Sequence, residues 1–163
     1  IVPADAQDRR HKAPLGDTKA RHMTDSCLFC RIASGELPAH RVYEDDHILA
    51  FLDLHPIRAG HVLVIPKAHH IWFEDLPEDL ATRITSCAQR LARRMKTIYE
   101  VKRVAMFYTG IHVPHAHAHV VPMQHVHDVT SQAYLSAGPD EYTIPKQLPV
   151  PEMEDIARQL RAE

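Results

Sequence analysis

Three absences narrow the class of protein that this sequence encodes. No run of apolar residues approaches the roughly 20 that a helix needs to span a bilayer, and the first residues contain no apolar core of a signal peptide. The formal net charge is -2, which gives no electrostatic basis for sequence-independent binding of nucleic acid. We therefore expect a cytoplasmic protein whose partners include neither membranes nor nucleic acid.

Cysteine is also scarce, with 3 residues in a chain of 163. Two of them stand in Cys27-Leu28-Phe29-Cys30, which suits a metal or redox site in a reducing compartment better than a disulfide framework. Residues 1–22 are polar and without periodicity, so we expect a flexible extension there. The hydrophobic fraction of 45% fits one domain, residues 23–163, with a core over 27–122 and a carboxy-terminal loop and helix over 123–163.

Histidine, in contrast, is abundant, and one stretch places it at every second position: His115-Ala116-His117-Ala118-His119-Val120-Val121-Pro122. Side chains alternate along a strand, so an extended segment would turn all three imidazoles to one face. The outer two would lie roughly 13 Å apart, too far to share one metal ion. Such a ladder is more typical of a functional site than of chance in a chain with 14 histidines, and it could serve metal binding or acid, base or nucleophile chemistry.

The remaining pattern predicts an α+β fold with one antiparallel sheet. Alternating or continuous apolar runs predict strands over 41–44, 47–53, 61–66 and 104–109, with the histidine ladder as a fifth. Apolar residues at three- and four-residue steps predict a long amphipathic helix from Pro77 to about Lys102 and a terminal helix over 152–161. A short helix is expected over 27–34, before Gly35.

The ordered motifs between residues 27 and 122 resemble the histidine triad (HIT) family of nucleotide-binding hydrolases and transferases. The motifs are Cys27-Leu28-Phe29-Cys30-Arg31-Ile32, Gly35-Glu36-Leu37-Pro38-Ala39, Val42-Tyr43-Glu44-Asp45-Asp46, Ala50-Phe51-Leu52-Asp53, Gly60-His61-Val62-Leu63-Val64-Ile65-Pro66-Lys67-Ala68-His69 and the triad with Val120-Val121-Pro122. The resemblance implies a five-stranded antiparallel sheet, a long helix and shorter helices. It also implies a homodimer in which the sheet continues across the two subunits.

The resemblance further implies nucleotidyl transfer by the triad. His117 would attack the α-phosphorus and form a nucleotidyl-histidine intermediate, while His119 and His61 would donate to nonbridging phosphate oxygens. A neutral imidazole is available near pH 7, and a backbone carbonyl bound to its other nitrogen would leave the attacking lone pair free. Asp53 would accept from the ribose hydroxyls. The base pocket would be lined by Leu28, Phe29, Phe51 and Leu54.

Zinc-bearing relatives also suggest a use for the two neighbouring cysteines. By matching position, Cys27, Cys30, His69 and His115 would form a structural zinc site, with His70 as the substitute ligand. All four positions would then be filled by protein, as in structural zinc sites. The redox alternative is less favoured because histidines are at hand. No organic cofactor is expected.

The chain departs from the family in the loop before the triad. Many members have an asparagine and a Gly-Gln-Ser type loop there, whereas this chain has Tyr108-Thr109-Gly110-Ile111-His112-Val113-Pro114. His112 stands near the position of the serine, and we assign it to the phosphate and leaving-group region. Met123 replaces a common arginine. His119 is retained where uridylyltransferase-like members carry glutamine, which favours hydrolysis.

Three functions remain open from the sequence. The first is a hydrolase that cleaves a purine nucleoside phosphoramidate, an aminoacyl adenylate or a dinucleoside polyphosphate at the α-phosphorus. The second is a nucleotide-binding regulatory module with little turnover. The third is a zinc hydrolase in which the ladder itself binds a catalytic ion.

Overall fold

The computed structural model describes residues 26–110, 112–129 and 146–161. In chain order its elements are α1 (Leu28–Ala33), β1 (Arg41–Glu44), β2 (Ile48–Leu52), β3 (Val62–Pro66), a 3-10 turn (Phe73–Asp75), α2 (Glu78–Ile98), β4 (Arg103–Tyr108), β5 (Ala118–Met123) and α3 (Val150–Arg161). The predicted α+β class with five strands is confirmed. The proposed extension over 1–22 lies outside the described residues, and the single-domain division stays a prediction.

The five strands form one antiparallel sheet in the order β1-β2-β3-β5-β4. Asp45 closes the turn between β1 and β2, where its Oδ1 accepts from the backbone N–H groups of His47 and Ile48, both at 2.8 Å. In the centre, Leu63 of β3 lies opposite His119 of β5. This pairing brings the strand that follows His61 beside the strand that carries the last triad histidine.

Hydrophobic side chains cover both faces of the central strands, which explains their continuous apolar runs. One face of β2 and β3 packs against α2 and α3, and the opposite face packs against α1. The first face contributes Ala50, Leu52, Val62 and Val64. The second contributes Leu49, Phe51, Leu63 and Ile65. The central strands are therefore buried between the layer of α2 and α3 on one face and the short helix α1 on the other.

The long helix ends earlier than its sequence pattern predicts. Its buried stripe is Leu80, Ile84, Cys87, Ala88, Leu91 and Met95. The helix stops at Ile98 and not near Lys102, because Glu100 takes a positive φ of 52° and turns the chain toward β4. Tyr99 packs against Gly60, where an added Cβ would come within 2.5 Å of the ring, so this position requires glycine.

The histidine ladder is only partly a strand, which corrects the prediction that the whole stretch is one. β5 begins at Ala118, so His115 and His117 precede it. The backbone N–H of Ala116 donates to the carbonyl of His70 at 2.6 Å, and that of His115 donates to Val113 at 2.7 Å, so this segment bonds outside the sheet. The side chains of Ala116 and Ala118 are nevertheless buried.

Candidate functional site

His117 has the environment that a nucleophilic imidazole needs. Its Nδ1–H donates to the carbonyl oxygen of His115 at 2.5 Å, and a carbonyl can only accept, so the lone pair is on Nε2. The edge of Phe29 contacts the ring at a centroid distance of 5.0 Å. Burial lowers the pKa of His117 below its ordinary value, so the ring is neutral at pH 7.

A series of hydrogen bonds fixes the protons of the two neighbouring histidines. The backbone N–H of Ile57 donates to Nδ1 of His61 at 3.3 Å, which places the His61 proton on Nε2. That nitrogen lies 3.0 Å from Nδ1 of His119, and the His119 proton is therefore on Nε2, 3.2 Å from Oγ1 of Thr109. The backbone N–H of Ile57 thus sets the tautomer of His61, and through His61 the tautomer of His119.

Both of these histidines are neutral donors. Burial, followed by the charge of His117, lowers the pKa of His61 to about 4. Burial, followed by the charge of His61, lowers the pKa of His119 to about 3. The 3.6 Å separation between Nδ1 of His61 and Oδ2 of Asp53 is therefore not an ion pair at pH 7. Phe107 stacks on the His119 ring at 4.7 Å and holds its plane.

The residues assigned to the nucleoside surround this group unevenly. Asp53 is 22% exposed in its side chain, its Oδ1 accepts from the backbone N–H of His55 at 2.8 Å, and its Oδ2 lies 3.6 Å from Nδ1 of His61. Leu28 and Leu54 are each 46% exposed. Phe51 is buried and meets Phe29 edge to face at 5.6 Å. The two leucines are thus accessible to a base, whereas Phe51 supports Phe29 from below.

The four residues assigned to zinc come together with one donor atom each. Cys27, Cys30, His69 and His115 place their donor atoms within 4.8 Å of one another. Nδ1 of His115 lies 3.4 Å from the sulfur of Cys27 and 3.5 Å from that of Cys30, which in turn lies 3.2 Å from Nδ1 of His69. A nitrogen and a sulfur ligand of tetrahedral zinc with ordinary bond lengths are separated by about 3.5 Å, close to these three separations, and two cysteines with two histidines are a donor set of structural zinc sites.

Second contacts orient this donor set. Nε2–H of His115 donates to the carbonyl of Pro66 at 2.9 Å, which leaves Nδ1 unprotonated and directed at the cysteines. His70, the predicted substitute ligand, is absent from the cluster and contributes its backbone carbonyl to Ala116. The three histidines of the ladder do not form one metal site. His115 belongs to the cysteine cluster, whereas His119 is hydrogen-bonded to His61.

The loop before the triad forms a cavity beside the candidate nucleophile. Residues 71–74, 108–110, 116 and 117 line a space of about 180 Å³. Gly110 has a φ of +69° and lies against the indole of Trp72, which an added Cβ would approach to 3.3 Å. Burial and then, more weakly, the charge of His112 lower the pKa of His117, and the assignment of His112 to the phosphate and leaving-group region stays a prediction.

Sequence reasoning missed several contributors to this site. Thr109 stands two residues after Phe107 and so shares its sheet face, a signal that the strand pattern contained. Trp72 is the single tryptophan of the chain, and it stands exposed beside Phe73. Arg58 and Asp128 form an ion pair at 2.6 Å that ties the loop after β2 to the turn after β5. No sequence signal paired these two residues.

Comparison with known proteins agrees with this geometry. The family model described as the HIT domain matches residues 34–126, more than half of the chain. The chain belongs to the histidine triad family.

Three relatives illustrate the range of this HIT protein's likenesses. An uncharacterised HIT-like protein of Methanocaldococcus jannaschii is 37% identical over 100 residues, which are 59% of this chain and 78% of that protein. The adenosine 5'-monophosphoramidase HNT1 of Saccharomyces cerevisiae is 36% identical over 98 residues, 60% of this chain and 62% of that enzyme. A zinc-bound histidine triad family protein from Mycobacterium smegmatis has a TM-score of 0.66 at 30% identity, covering 85% of this chain and 92% of that one.

These likenesses confirm the HIT fold and agree with a nucleotide hydrolase at the level of the family. The zinc-bound relative is consistent with the Cys/His donor set found here. Among the helices that the structure describes, none is long and apolar enough to cross a membrane.

Proposed function

We propose that this HIT protein is a hydrolase that cleaves a purine nucleoside phosphoramidate, an aminoacyl adenylate or a dinucleoside polyphosphate at the α-phosphorus. The observation that supports this most directly is the bond from Nδ1 of His117 to the carbonyl of His115, which leaves Nε2 of a neutral, buried imidazole as the attacking atom. The monophosphoramidase activity in the name of the yeast relative supports the same reaction class.

The reaction proceeds in two displacements on phosphorus. Nε2 of His117 forms a bond to the α-phosphorus while the bond to the leaving group breaks, and an amine leaving group takes both electrons and a proton from water. A second water then attacks the phosphorus, the bond to Nε2 breaks and its electron pair returns to the ring. The proton released by the second water neutralises the hydroxide left by the first, and the products are a nucleoside monophosphate and the amine.

His119 acts as the donor to the phosphoryl group, whereas the Nε2–H of His61 already donates to His119, so the direct bond from His61 to phosphate that the resemblance implies is not part of this proposal. The Nε2–H of His119 is shared between Thr109 and a nonbridging oxygen when a nucleotide is bound, and His61 holds the His119 ring through its own hydrogen bond to Nδ1. Because both rings are neutral and buried, they stabilise charge as it grows in the transition state without first repelling each other. Asp53 accepts from the ribose hydroxyls, and Leu28 and Leu54 cover the base.

We also propose that Cys27, Cys30, His69 and His115 hold a structural zinc ion. The ion would fasten α1 to the segment before β5 and would supply folding free energy, with no part in the displacement on phosphorus. The burial of Cys27 and His115, the partial burial of Cys30 and His69, and the hydrogen bond from His115 to the carbonyl of Pro66 support a closed protein site.

A homodimer in the cytoplasm completes the proposal. β4 is at the edge of the sheet, with its outer backbone groups unpaired within the described strands, and Met106 on that strand is 39% exposed. Sedimentation analysis of the purified chain measures this directly: a mass of one chain at micromolar concentration would contradict the dimer.

The experiment that tests the hydrolase is turnover of an adenosine phosphoramidate and of a diadenosine polyphosphate by the wild type and by His117→Asn. We expect turnover that is lost in the variant, and a nucleotide bound covalently to His117 after an acid quench. Binding of adenosine monophosphate without any turnover would favour the regulatory module. Activity lost in chelator while His117→Asn retained it would favour a zinc hydrolase.

A further inference from the structure

The two cysteines of the candidate zinc cluster lie in one helical turn. The backbone N–H of Arg31 donates to the carbonyl of Cys27 at 3.1 Å, and that of Ser34 donates to the carbonyl of Cys30 at 2.9 Å. Cα atoms three positions apart in an α-helix are separated by about 5 Å, and disulfides span Cα separations of roughly 4.4 to 6.8 Å. The two sulfurs already lie within 4.8 Å of each other. The backbone therefore permits a disulfide between Cys27 and Cys30.

The third cysteine of the sequence is remote from this pair. Cys87 is buried in α2 and packs in the cluster on the other face of the sheet, whereas Cys27 packs in the cluster that contains α1. Cys30 is partly exposed, and Cys27 is 5% exposed. A small oxidant in solution therefore reaches Cys30 first, and Cys27 is the thiol close enough to react with the oxidised sulfur.

The residues between the two cysteines belong to the proposed nucleotide site. Leu28, assigned to the base, is 46% exposed. Phe29 is buried, and its ring meets that of His117 edge to face at a centroid distance of 5.0 Å and that of His115 at 5.9 Å. Because both residues are held between the two cysteines, a rearrangement of the sulfurs acts directly on the contact between Phe29 and the nucleophile.

His115 provides a second link from the cysteines to the nucleophile. Its Nδ1 lies 3.4 Å from one sulfur and 3.5 Å from the other. Its backbone carbonyl accepts from Nδ1–H of His117 at 2.5 Å. Both residues precede β5, so the sheet does not hold them in place. The contacts of the His115 side chain with the sulfurs therefore contribute to the position of the carbonyl that orients His117.

We propose that Cys27 and Cys30 are a modification site at which a peroxide forms a reversible disulfide, and that this disulfide switches off the nucleotide site. The inference rests on the proposed hydrolase and on the proposed zinc site. The disulfide removes both sulfur ligands at once, and the two remaining histidines are too few for a structural zinc ion. Phe29 and the carbonyl of His115 then lose the position from which they orient His117.

The oxidation balances with hydrogen peroxide as the oxidant. Zinc ligation keeps both sulfurs as thiolates. The thiolate of Cys30 attacks one oxygen of the peroxide, the O–O bond breaks, and the other oxygen leaves as hydroxide with the bonding pair. The thiolate of Cys27 then attacks the sulfur of the sulfenic acid at Cys30, the S–O bond breaks, and a second hydroxide leaves. The two sulfurs lose two electrons in total, the two oxygens gain them, and a dithiol reverses the change by exchange.

Treatment of the zinc-loaded full chain with hydrogen peroxide tests this switch without turnover. The intact mass measured without reductant should fall by two hydrogens, and a colorimetric chelator should detect one released zinc ion per chain. The affinity for adenosine monophosphate should fall by about three- to tenfold, the size of a lost aromatic contact, and the ring ¹⁵N shifts of His117 should change. A dithiol followed by zinc should restore all of these values.

Two variants separate the disulfide from oxidation elsewhere. Cys87→Ser keeps the pair and should respond as the wild type does. Cys30→His replaces one thiolate by another zinc ligand, so it should retain zinc and, compared with its own untreated sample, keep its affinity for adenosine monophosphate in peroxide. A loss of affinity in Cys30→His equal to the wild-type loss would assign the effect to another residue, such as an oxidised methionine, and would overturn the switch.

The outcomes distinguish the switch from the hydrolase. An unchanged mass, retained zinc, or a disulfide that leaves the affinity and the His117 shifts unchanged would each overturn the switch, and the hydrolase would stand. Absence of turnover by the untreated protein would overturn the hydrolase and leave the switch to be decided by the mass, the zinc content and the ¹⁵N shifts, none of which requires turnover.

Discussion

His61 and His119 share one hydrogen between Nε2 and Nδ1, 3.0 Å apart. The direction of that bond is set by the backbone N–H of Ile57, because an amide cannot change its role as donor. Three hydrogen bonds in a row, from Ile57 to Thr109, therefore have one consistent assignment of protons. The Nε2–H of His119 faces the reaction centre as a result of a contact on the far side of His61.

Thr109 is the acceptor at the end of this series, so its hydroxyl should position His119. Thr109→Val should lower kcat/KM by about three- to tenfold, the free-energy equivalent of one hydrogen bond, and Thr109→Ser should retain activity. The ring ¹⁵N shifts of His119 should change only in the valine variant. Thr85→Val removes a hydroxyl from the exposed face of α2 and is the matched control. Equal kinetics and shifts in all four proteins would contradict this role.

Stability should fall in mild acid because of His61. Its pKa is lowered to about 4 in the folded protein, so the unfolded chain takes up a proton first as the pH falls below about 6.5. The contribution of neutral His61 is complete above pH 6.5 and is lost between pH 6.5 and 4, and it amounts to about 3 kcal/mol. Asp53, His117 and His119 face the same ring, and the two histidines, whose pKa values are also lowered, add to the loss of stability as the pH falls.

Urea denaturation at a series of pH values measures this effect. His61→Gln cannot take up the proton, so its free energy of unfolding should fall less between pH 6.5 and 4 than that of the wild type. His47→Gln replaces an exposed histidine and should follow the wild type. A slope in His61→Gln that equals the wild-type slope would exclude His61 as the cause.

Removal of one cysteine should expose the role of the metal. The wild type should carry about one zinc ion per chain by elemental analysis, and Cys30→Ser should lose it and melt at a lower temperature. Cys87→Ser is the matched control: this thiol is buried in α2, where burial raises its pKa to about 11, and its loss should leave the zinc content unchanged. Equal zinc content in the two variants would argue against the cluster.

The ion pair of Arg58 and Asp128 should matter for both stability and substrate binding. Asp128 is 3% exposed in its side chain, and its hydrogen bond with Arg58 lowers its pKa to about 2. Asp128→Asn should destabilise the fold by about 1 to 3 kcal/mol and raise KM, because Arg58 follows Ile57 in the loop that orders His61. Asp46→Asn, at an exposed position, is the control. An unchanged KM in Asp128→Asn would show that this loop does not affect substrate binding.

Local patterns predicted most of the elements and the cysteine pair of the candidate metal cluster, whereas His69 and His115 were assigned to it by the resemblance to the family. Apolar spacing located α2 and the buried strands, and the Cys27 to Cys30 interval indicated a metal pair. The start of β5 was missed because the amide of Ala116 bonds to His70, a contact between segments 46 positions apart that alternation cannot contain. The hydrogen bond from the backbone N–H of Ile57 to His61 was missed for a similar reason. Almost every residue type has a backbone N–H, so the sequence carries no signal for which one binds the imidazole.

The cavity was missed for a related reason. It is enclosed by three separate segments, and each contributes residues that are unremarkable in their own stretch of sequence. The stretch Ile71-Trp72-Phe73 alone carried a signal, since adjacent large apolar side chains that remain exposed are typical of an interaction surface.

His115 has two structural roles, one for its side chain and one for its backbone carbonyl. Its side chain belongs to the cysteine cluster, while its carbonyl oxygen accepts a hydrogen bond from Nδ1–H of His117. Only the carbonyl is needed for the direction of attack, and every amino acid has one. A thiol or another ring could therefore replace the imidazole of His115 in the cluster. Nε2 of His117 would keep its direction provided that the backbone at position 115 stayed in place. The side chain at position 115 can therefore change without loss of the reactive imidazole, but the backbone at this position cannot move.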